Sequence, residues 1–506
     1  MELTLRQKIG QLVLTSLDGN EITPEFRARV EKYHIGNIIH FGNNVTDFEG
    51  ARALNRELNT LIQDHCGDIP PLIGIDHEGG RVMRFSKDFT WFPSQLALGA
   101  ADDLQLSEEI GKAMGLELRA AGFNINFAPV VDVNSNAANV VIGARSFGDD
   151  PEQAALHGAA VCRGLQSAGV IACLKHFPGH GDTTQDSHFF LPTVDKTLDE
   201  LRQTELIPYQ RILSGGGADS VMTTHILFPR IEAEKLPATL SPTIIEGILR
   251  KELHFDGVVV TDGMQMLAIK EHYGVARGCV LAIKAGVDLL CVGTGGSGTQ
   301  QGQQFCLDAL YDAVVQGEIP MERIDEAVGR VLKAKSKYCA SVPEILPDFE
   351  AHSRLNQTIS RRAVTRIASG PVTGRLLFAG HPTKAPAYGL EHADPRRMTF
   401  EEIACNYAGH SAVSLELFDT AGDYDTLVIG AQSLQPNGPE LSCAHKALSA
   451  GKNVAFILLG APYDAIHVPP GCACLCCYSH TLQSVRAALD VLLGKVDALG
   501  KLPVRI

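Results

Sequence analysis

The sequence is poor in the features that announce a membrane protein, a nucleic-acid binder or a secreted scaffold. No apolar run reaches the about 20 residues that a bilayer-spanning helix needs. Met1–Gln11 (MELTLRQKIGQ) lacks the basic start and apolar stretch of a secretory signal. Positive charge is in deficit, with a formal net charge of −14, so a nucleic acid or an acidic membrane surface is repelled at long range. There is no low-complexity tract. The thirteen cysteines are an odd number without small-scaffold spacing, which argues against a disulfide framework and fits thiols kept reduced. These absences predict a cytoplasmic location and a neutral or small-molecule substrate, with no nucleic-acid and no membrane partner.

Four cysteines cluster in Cys472-Ala-Cys474-Leu-Cys476-Cys477, and a thiolate metal site has to be weighed for any such group. The run follows Pro469 and Pro470 and continues into Tyr478. That is a short apolar stretch bounded by turn formers, so small buried thiols on a strand are the simpler reading. No metal and no cofactor is expected.

What the sequence does have is length and rhythm. At 506 residues, 45% of them hydrophobic, the chain predicts two domains with a large core. From residue 10 to about 295, short β-branched runs alternate with helical segments. Eight strand candidates stand out: Leu12–Ser16, Gly36–His40, Leu72–Ile75, Asn124–Val131, Ile171–Leu174, Val221–Thr224, Gly257–Val260 and Asp288–Val292. Helical stretches such as Leu106–Ala121, Pro151–Ala168 and Leu198–Ser214 lie between several of them. This α/β pattern matches a (β/α)8 TIM-type barrel better than a doubly wound sheet. Further helices are expected over Gln303–Gln316 and Met321–Ala340.

The expected division is a catalytic barrel over 1–340, a linker and helix over 341–365 with helical pattern near His352–Ser369, and a smaller α/β sandwich domain over 366–506. In that second domain, strands are expected at Arg375–Ala379, Ser414–Leu417, Thr426–Gly430, Asn453–Leu459 and Ala473–Tyr478, with helices at Gly438–Ala450 and Thr481–Leu493.

In such barrels the chemistry sits at the C-terminal ends of the strands. Polar residues gather there. Strand three runs into Asp76-His-Glu78-Gly-Gly-Arg81-Val-Met-Arg84, strand four into Asp132 and then Gly143-Ala-Arg145, strand five into Lys175-His176, strand six into His225 and strand seven into Thr261-Asp262. Any one of these could be a solvated loop charge or a structural ion pair. Five strand ends presenting such groups to one mouth make a polar pocket suited to the hydroxyls of a sugar ring.

The loop after strand five, Lys175-His-Phe-Pro-Gly-His180-Gly-Asp182-Thr-Thr-Gln-Asp186-Ser-His188, is the most informative. An imidazole titrates near neutrality, and a carboxylate two residues away can orient it, so Asp186 and His188 form a plausible proton-transfer pair. Asp262 follows a continuous apolar strand that would hold its carboxylate at the mouth. Retaining glycoside hydrolysis needs a nucleophilic carboxylate and a proton donor on opposite sides of the scissile bond, and Asp262 and His188 could supply them.

Together IDHEGGRVMR (75–84), GARSFGDDP (143–151), KHFPGHGDTTQDSH (175–188) and VVVTDGMQM (258–266) resemble the family 3 glycoside hydrolases, in particular their bacterial β-N-acetylglucosaminidase branch in its two-domain form. The closing Leu493-Gly-Lys…Gly500-Lys-Leu-Pro503-Val resembles the end of the second domain. The resemblance implies Asp262 as nucleophile, His188 as acid/base oriented by Asp186, and sugar binding by Asp76, Arg84, Arg145, Lys175 and His176. His180 and His225 match non-catalytic positions. His77, Ala144 and Gly263 depart from the usual residues, but none of these departures removes a catalytic group.

The implied activity is that of a retaining exo-β-N-acetylglucosaminidase. Its substrate would be a small GlcNAc-containing oligosaccharide or muropeptide, derived from peptidoglycan during cell-wall recycling or from chitin.

Three other readings compete. A histidine acid/base also suits a β-N-acetylglucosaminide phosphorylase. Gly293-Thr-Gly-Gly-Ser-Gly298 fits a dinucleotide fingerprint, but it follows the eighth strand instead of the first. A non-catalytic sugar-binding protein would lack the nucleophile or the acid/base, and both are present here.

Overall fold

Eight short apolar runs in the first 293 residues become parallel strands, in the order in which they occur. The computed structural model describes residues 3–84, 87–186, 190–293, 299–339, 346–380, 398–409 and 411–506. The strands are β1 (Val13–Thr15), β2 (Asn37–His40), β3 (Leu72–Ile75), β4 (Ile125–Asn126), β5 (Ile171–Phe177), β6 (Ser220–Thr223), β7 (Val258–Thr261) and β8 (Leu290–Val292). From β1 to β7 each pairs in parallel with the next, and β8 pairs with β1. A single bridge between Val260 and Leu289 joins β7 to β8 and closes the ring. Every residue of these strands is buried, as required when one face meets the barrel interior and the other the surrounding helices.

The expected (β/α)8 barrel is therefore the fold. Strand four is shorter than its pattern predicts, because Pro129 has no N–H to continue the ladder. It resumes only as the bridge of Val130 to Lys175. The expected helix over 198–214 is two, Leu198–Gln203 and Leu206–Ser214, separated at Thr204–Glu205.

A second sheet follows. Its strands are β9 (Thr365–Ala368), β10 (Leu376–Gly380), β11 (Ser411–Ser414), β12 (Thr426–Ala431), β13 (Asn453–Leu458) and β14 (Ala473–Cys476), in the order β9-β14-β13-β12-β10-β11. All neighbours are parallel except β9, which runs antiparallel to β14. Two expectations shift here. The helix expected to reach Ser369 spans Phe349–Ala363, and the next residues form β9. The strand expected at Ser414–Leu417 lies earlier, and Leu415–Thr420 is a 3-10 turn that tucks Leu415 and Phe418 into the core.

The four clustered cysteines are buried on and beside β14. Strand alternation sends Cys472, Cys474 and Cys476 to one apolar layer and Cys477 to the other. Burial pushes the Cys474 and Cys477 thiols up to about 12, so they stay protonated.

Helix Phe349–Ala363 packs on helices Gln95–Ala101 and Leu104–Ala120 of the barrel and on Leu482–Leu492 of the second layer. It is tied down by His352 to Glu117 at 2.7 Å and by Asn356 Nδ2 donating to the Trp91 carbonyl at 2.8 Å. No helix among the described residues is long and apolar enough to cross a membrane.

Candidate active site

The mouth is built first from what each strand end can reach. Asp76 directly follows β3. Gly79 and Gly80, both at positive φ, fold the next residues into a small hairpin of His77–Gly79 and Val82–Met83. The hairpin returns Arg84 to Asp76, with Nη2 donating to Oδ2 at 3.1 Å. The other oxygen of Asp76 accepts from Lys175 Nζ at 2.8 Å. Lys175 also lies 2.7 Å from Glu78 Oε1. Glu78 holds Arg145 by two parallel bonds of 2.8 Å, from Nε and Nη2. Arg145 Nη2 is in turn 3.4 Å from His176 Nε2, and His176 Nδ1 is 2.7 Å from Asp132 Oδ2. The Lys175–His176 peptide bond is cis.

One chain of contacts thus joins Arg84, Asp76, Lys175, Glu78, Arg145, His176 and Asp132. Of the eight residues singled out from the sequence, it brings together five: Asp76, Arg84, Arg145, Lys175 and His176. The side chains are graded in depth. That of Asp76 is 17% exposed and those of Glu78 and Asp132 are 1% and 0%, so Asp76 faces the opening while the other two carboxylates lie beneath and hold the cations up.

Charge complementarity outweighs burial for Asp76, Glu78, Arg145 and Lys175. Burial alone would raise the Asp76 carboxyl, but Lys175 and Arg84 outweigh it and hold it well below the ordinary carboxylate range. Glu78 behaves alike, with burial overcome by Arg145 and Lys175 so that it titrates at about 2. Burial would lower the Lys175 ammonium, and Asp76 and Glu78 reverse this. His180 is the opposite case. Burial, and then the neighbouring His176, lower it to about 4, so it is neutral at pH 7. Its Nδ1 is 2.8 Å from the Thr183 hydroxyl and its backbone N donates to Asp132 Oδ1 at 2.7 Å.

Asp262 sits immediately after β7, partly exposed. Its backbone N donates to the Thr223 carbonyl at the end of β6 at 3.3 Å, and its Oδ1 accepts from Gly263 N at 2.7 Å. His225 Nε2 lies 3.1 Å from the Gly263 carbonyl oxygen and its Nδ1 2.8 Å from Thr239 Oγ1. The Cys291 thiol on β8 is held up by burial and then by the charges of Asp262 and Asp76. Asp186 is buried in the loop after β5, its carbonyl accepting from Phe190 N at 2.9 Å. His188 and the glycine run Thr294–Gly298 lie outside the described residues. Among the described residues, no group of three or more His, Cys, Asp or Glu is arranged to hold a metal ion.

Residues 4–334 match the glycosyl hydrolase family 3 N-terminal domain. The chain belongs to glycosyl hydrolase family 3. A solved family 3 β-N-acetylglucosaminidase from Paenibacillus sp. str. FPU-7 superposes with a TM-score of 0.92 at 35% identity, covering 100% of this chain and 99% of that one. β-Hexosaminidase A of Pseudoalteromonas piscicida is 28% identical over 96% of this chain and 91% of its own length. A β-hexosaminidase of Thiobacillus denitrificans is 36% identical over 56% of this chain and 78% of its own length. The chain is thus a family 3 glycoside hydrolase in which a second sheet follows the barrel.

In this family 3 site, sequence reasoning passed over two residues that the structure makes central, Glu78 and Asp132. Both lie inside stretches already noted for their polar residues, two positions after Asp76 and directly after strand four. Proximity to a strand end was the available signal. Their partners, far away in sequence, were not.

Proposed function

We propose that the protein is a retaining exo-β-N-acetylglucosaminidase that removes a non-reducing terminal GlcNAc from peptidoglycan-derived or chitin-derived fragments. What supports this is the buried network of Asp76, Glu78, Lys175 and Arg145 at the strand ends of a barrel in which Asp262 directly follows β7, in a chain of the same family and length as a β-N-acetylglucosaminidase. Asp76, Arg84, Arg145, Lys175 and His176 present fixed donors and acceptors to the ring hydroxyls and the acetamido group. Because they already hold one another in place, little reorganisation accompanies binding.

In this reading the Asp262 carboxylate attacks the anomeric carbon while His188, oriented by Asp186, protonates the departing oxygen. Water then cleaves the glycosyl-aspartate, with His188 taking the proton back. The site of action is the cytoplasm. Phosphorolysis has the weaker support: a β-glucoside phosphorylase shares the fold at only 23% identity, whereas the more similar proteins named above are hexosaminidases and a β-N-acetylglucosaminidase.

The deciding experiment is turnover of an aryl β-N-acetylglucosaminide by the protein and by Asp262→Ala. Activity in the first and its loss by about 10³-fold or more in a folded second is expected. Full activity in the variant would sink the assignment. Products analysed with and without added phosphate separate hydrolysis from formation of a sugar phosphate.

A further inference from the structure

The loop after β4 meets the first part of the loop after β5, from His180 to Thr183. Asp132 accepts from His180 N, Asn139 Nδ2 donates to the His180 carbonyl at 2.8 Å, and Asn136 Nδ2 donates to the Asp182 carbonyl at 3.3 Å. Between these links the Val133 carbonyl oxygen is pressed so closely on Gly181 that a Cβ there would collide with it. The β5 loop then runs from Thr183 to the buried Asp186. The β4 loop is therefore the surface on which the approach to Asp186 is laid.

The β4 loop is itself held from outside the barrel. Asn134 is 1% exposed. Its Nδ2 donates to Tyr463 Oη at 2.6 Å, and that hydroxyl lies 3.4 Å from the Asn134 carbonyl oxygen. Tyr463 belongs to the second domain, on the single turn Pro462–His467 that follows β13. The Oδ1 of Asn134 has no partner among the described residues, so the phenol anchors that side chain alone. Asn134 N donates to the Gly148 carbonyl at 3.0 Å, which ties the same residue to the end of the segment bearing Arg145. Leaving such a buried amide unpartnered costs about 1–3 kcal/mol, which loosens the one hold on the β4 loop that comes from the second domain's Tyr463.

We propose that Tyr463 is a positioning residue for glycosidic cleavage: through Asn134 it fixes the β4 loop against the first part of the β5 loop, and so sets the position of Asp186, which orients the acid/base. The proposal rests on the assignment of Asp186 and His188 under Proposed function. It gives the second domain a part in the reaction without a group that touches substrate. The phenol is suited to the task, since burial holds it up to about 12 and keeps its hydroxyl neutral over the working range. The contact is not the second domain's main attachment. Ser94 bonds to Ser479 and to the Tyr478 carbonyl, and Asp149 N donates to the Pro503 carbonyl at 3.2 Å. Loss of one hydroxyl therefore leaves the domains joined.

The test is made in the full chain with Tyr463→Phe, which keeps the ring and removes only the hydroxyl. Two substrates are compared, chitobiose, whose sugar leaving group needs protonation, and an aryl glycoside with a nitrophenolate leaving group, which does not. The expected result is a fall of about tenfold in kcat/KM on chitobiose, carried by kcat, with the aryl glycoside changed less than about twofold. Asn134→Ala removes the same link from the barrel side. It is expected to reproduce the pattern, and the double variant is expected to be no worse than either single one. An equal loss on both substrates, or no loss on chitobiose, overturns the proposal. His188→Ala in the same assay keeps the two readings apart. If it shows no preference for the activated leaving group, the acid/base assignment has failed, whatever Tyr463 does.

Discussion

Glu78 carries more of the site than its place in the sequence suggests. It holds Arg145 through both guanidinium bonds and shares Lys175 with Asp76. Removing one partner of a buried pair leaves an uncompensated charge, which costs about 3–5 kcal/mol. Glu78→Gln is accordingly expected to lower stability by that order in denaturant titrations and to raise KM, because Arg145 and Lys175 lose their fixed positions. The pH dependence follows from the direction of its shift. The folded-state carboxyl titrates at about 2 against an ordinary 4.5, so its stabilisation is complete above about 4.5 and is lost as pH falls toward 2. Thermal midpoints measured across that window should fall more steeply for the parent protein than for Glu78→Gln. At this scale the sequence is half legible. Asp76, Lys175 and Asp262 announce themselves because each directly follows an apolar strand. Glu78 is paired with a residue 67 positions away, and no local spacing carries that information.

At the scale of elements, Gly181 is a point of close approach between the loops after β4 and β5. Any side chain there would drive into the Val133 carbonyl oxygen, and a backbone neighbour cannot rotate away. Gly181→Ala is expected to cost more than about 2 kcal/mol and to reduce turnover with it, measured by denaturant unfolding and by kcat on the same preparation. The barrel strands could be read from sequence because burial on both faces writes them as continuous apolar runs. Thr365–Ala368 could not. Helical spacing continues from Ile359 through Ala363 to Ile367, and only antiparallel pairing with β14, more than a hundred residues later, makes it a strand. The strand near residue 414 was displaced for a similar reason. Ser411–Ser414 is fixed by its register with Leu377–Gly380, and the more apolar Leu415 and Phe418 are used in the turn that follows.

At the scale of the whole molecule, barrel and second sheet are connected by far more than a linker. Helix Phe349–Ala363 packs on both, Tyr463 reaches the β4 loop, and Lys501 N and Pro503 O bond to Ala100 and Asp149 of the barrel. Calorimetry is therefore expected to show one cooperative transition, and two resolved transitions would show that these contacts do not couple the domains.

The chain of side chains at the mouth has an electrical consequence as well. Leaving His176 aside, its three carboxylates, Asp76, Glu78 and Asp132, face three permanent cations, Arg84, Arg145 and Lys175. Apart from the Asp262 carboxylate, the mouth is thus a set of strong local dipoles whose charges cancel, in a protein of formal charge −14. An uncharged glycoside should arrive with a KM indifferent to salt. An acidic peptide-bearing fragment, repelled by the surface at a distance, should bind better as ionic strength rises. Titrating KM with sodium chloride on both would measure how far the surface charge acts as a filter on what reaches the pocket.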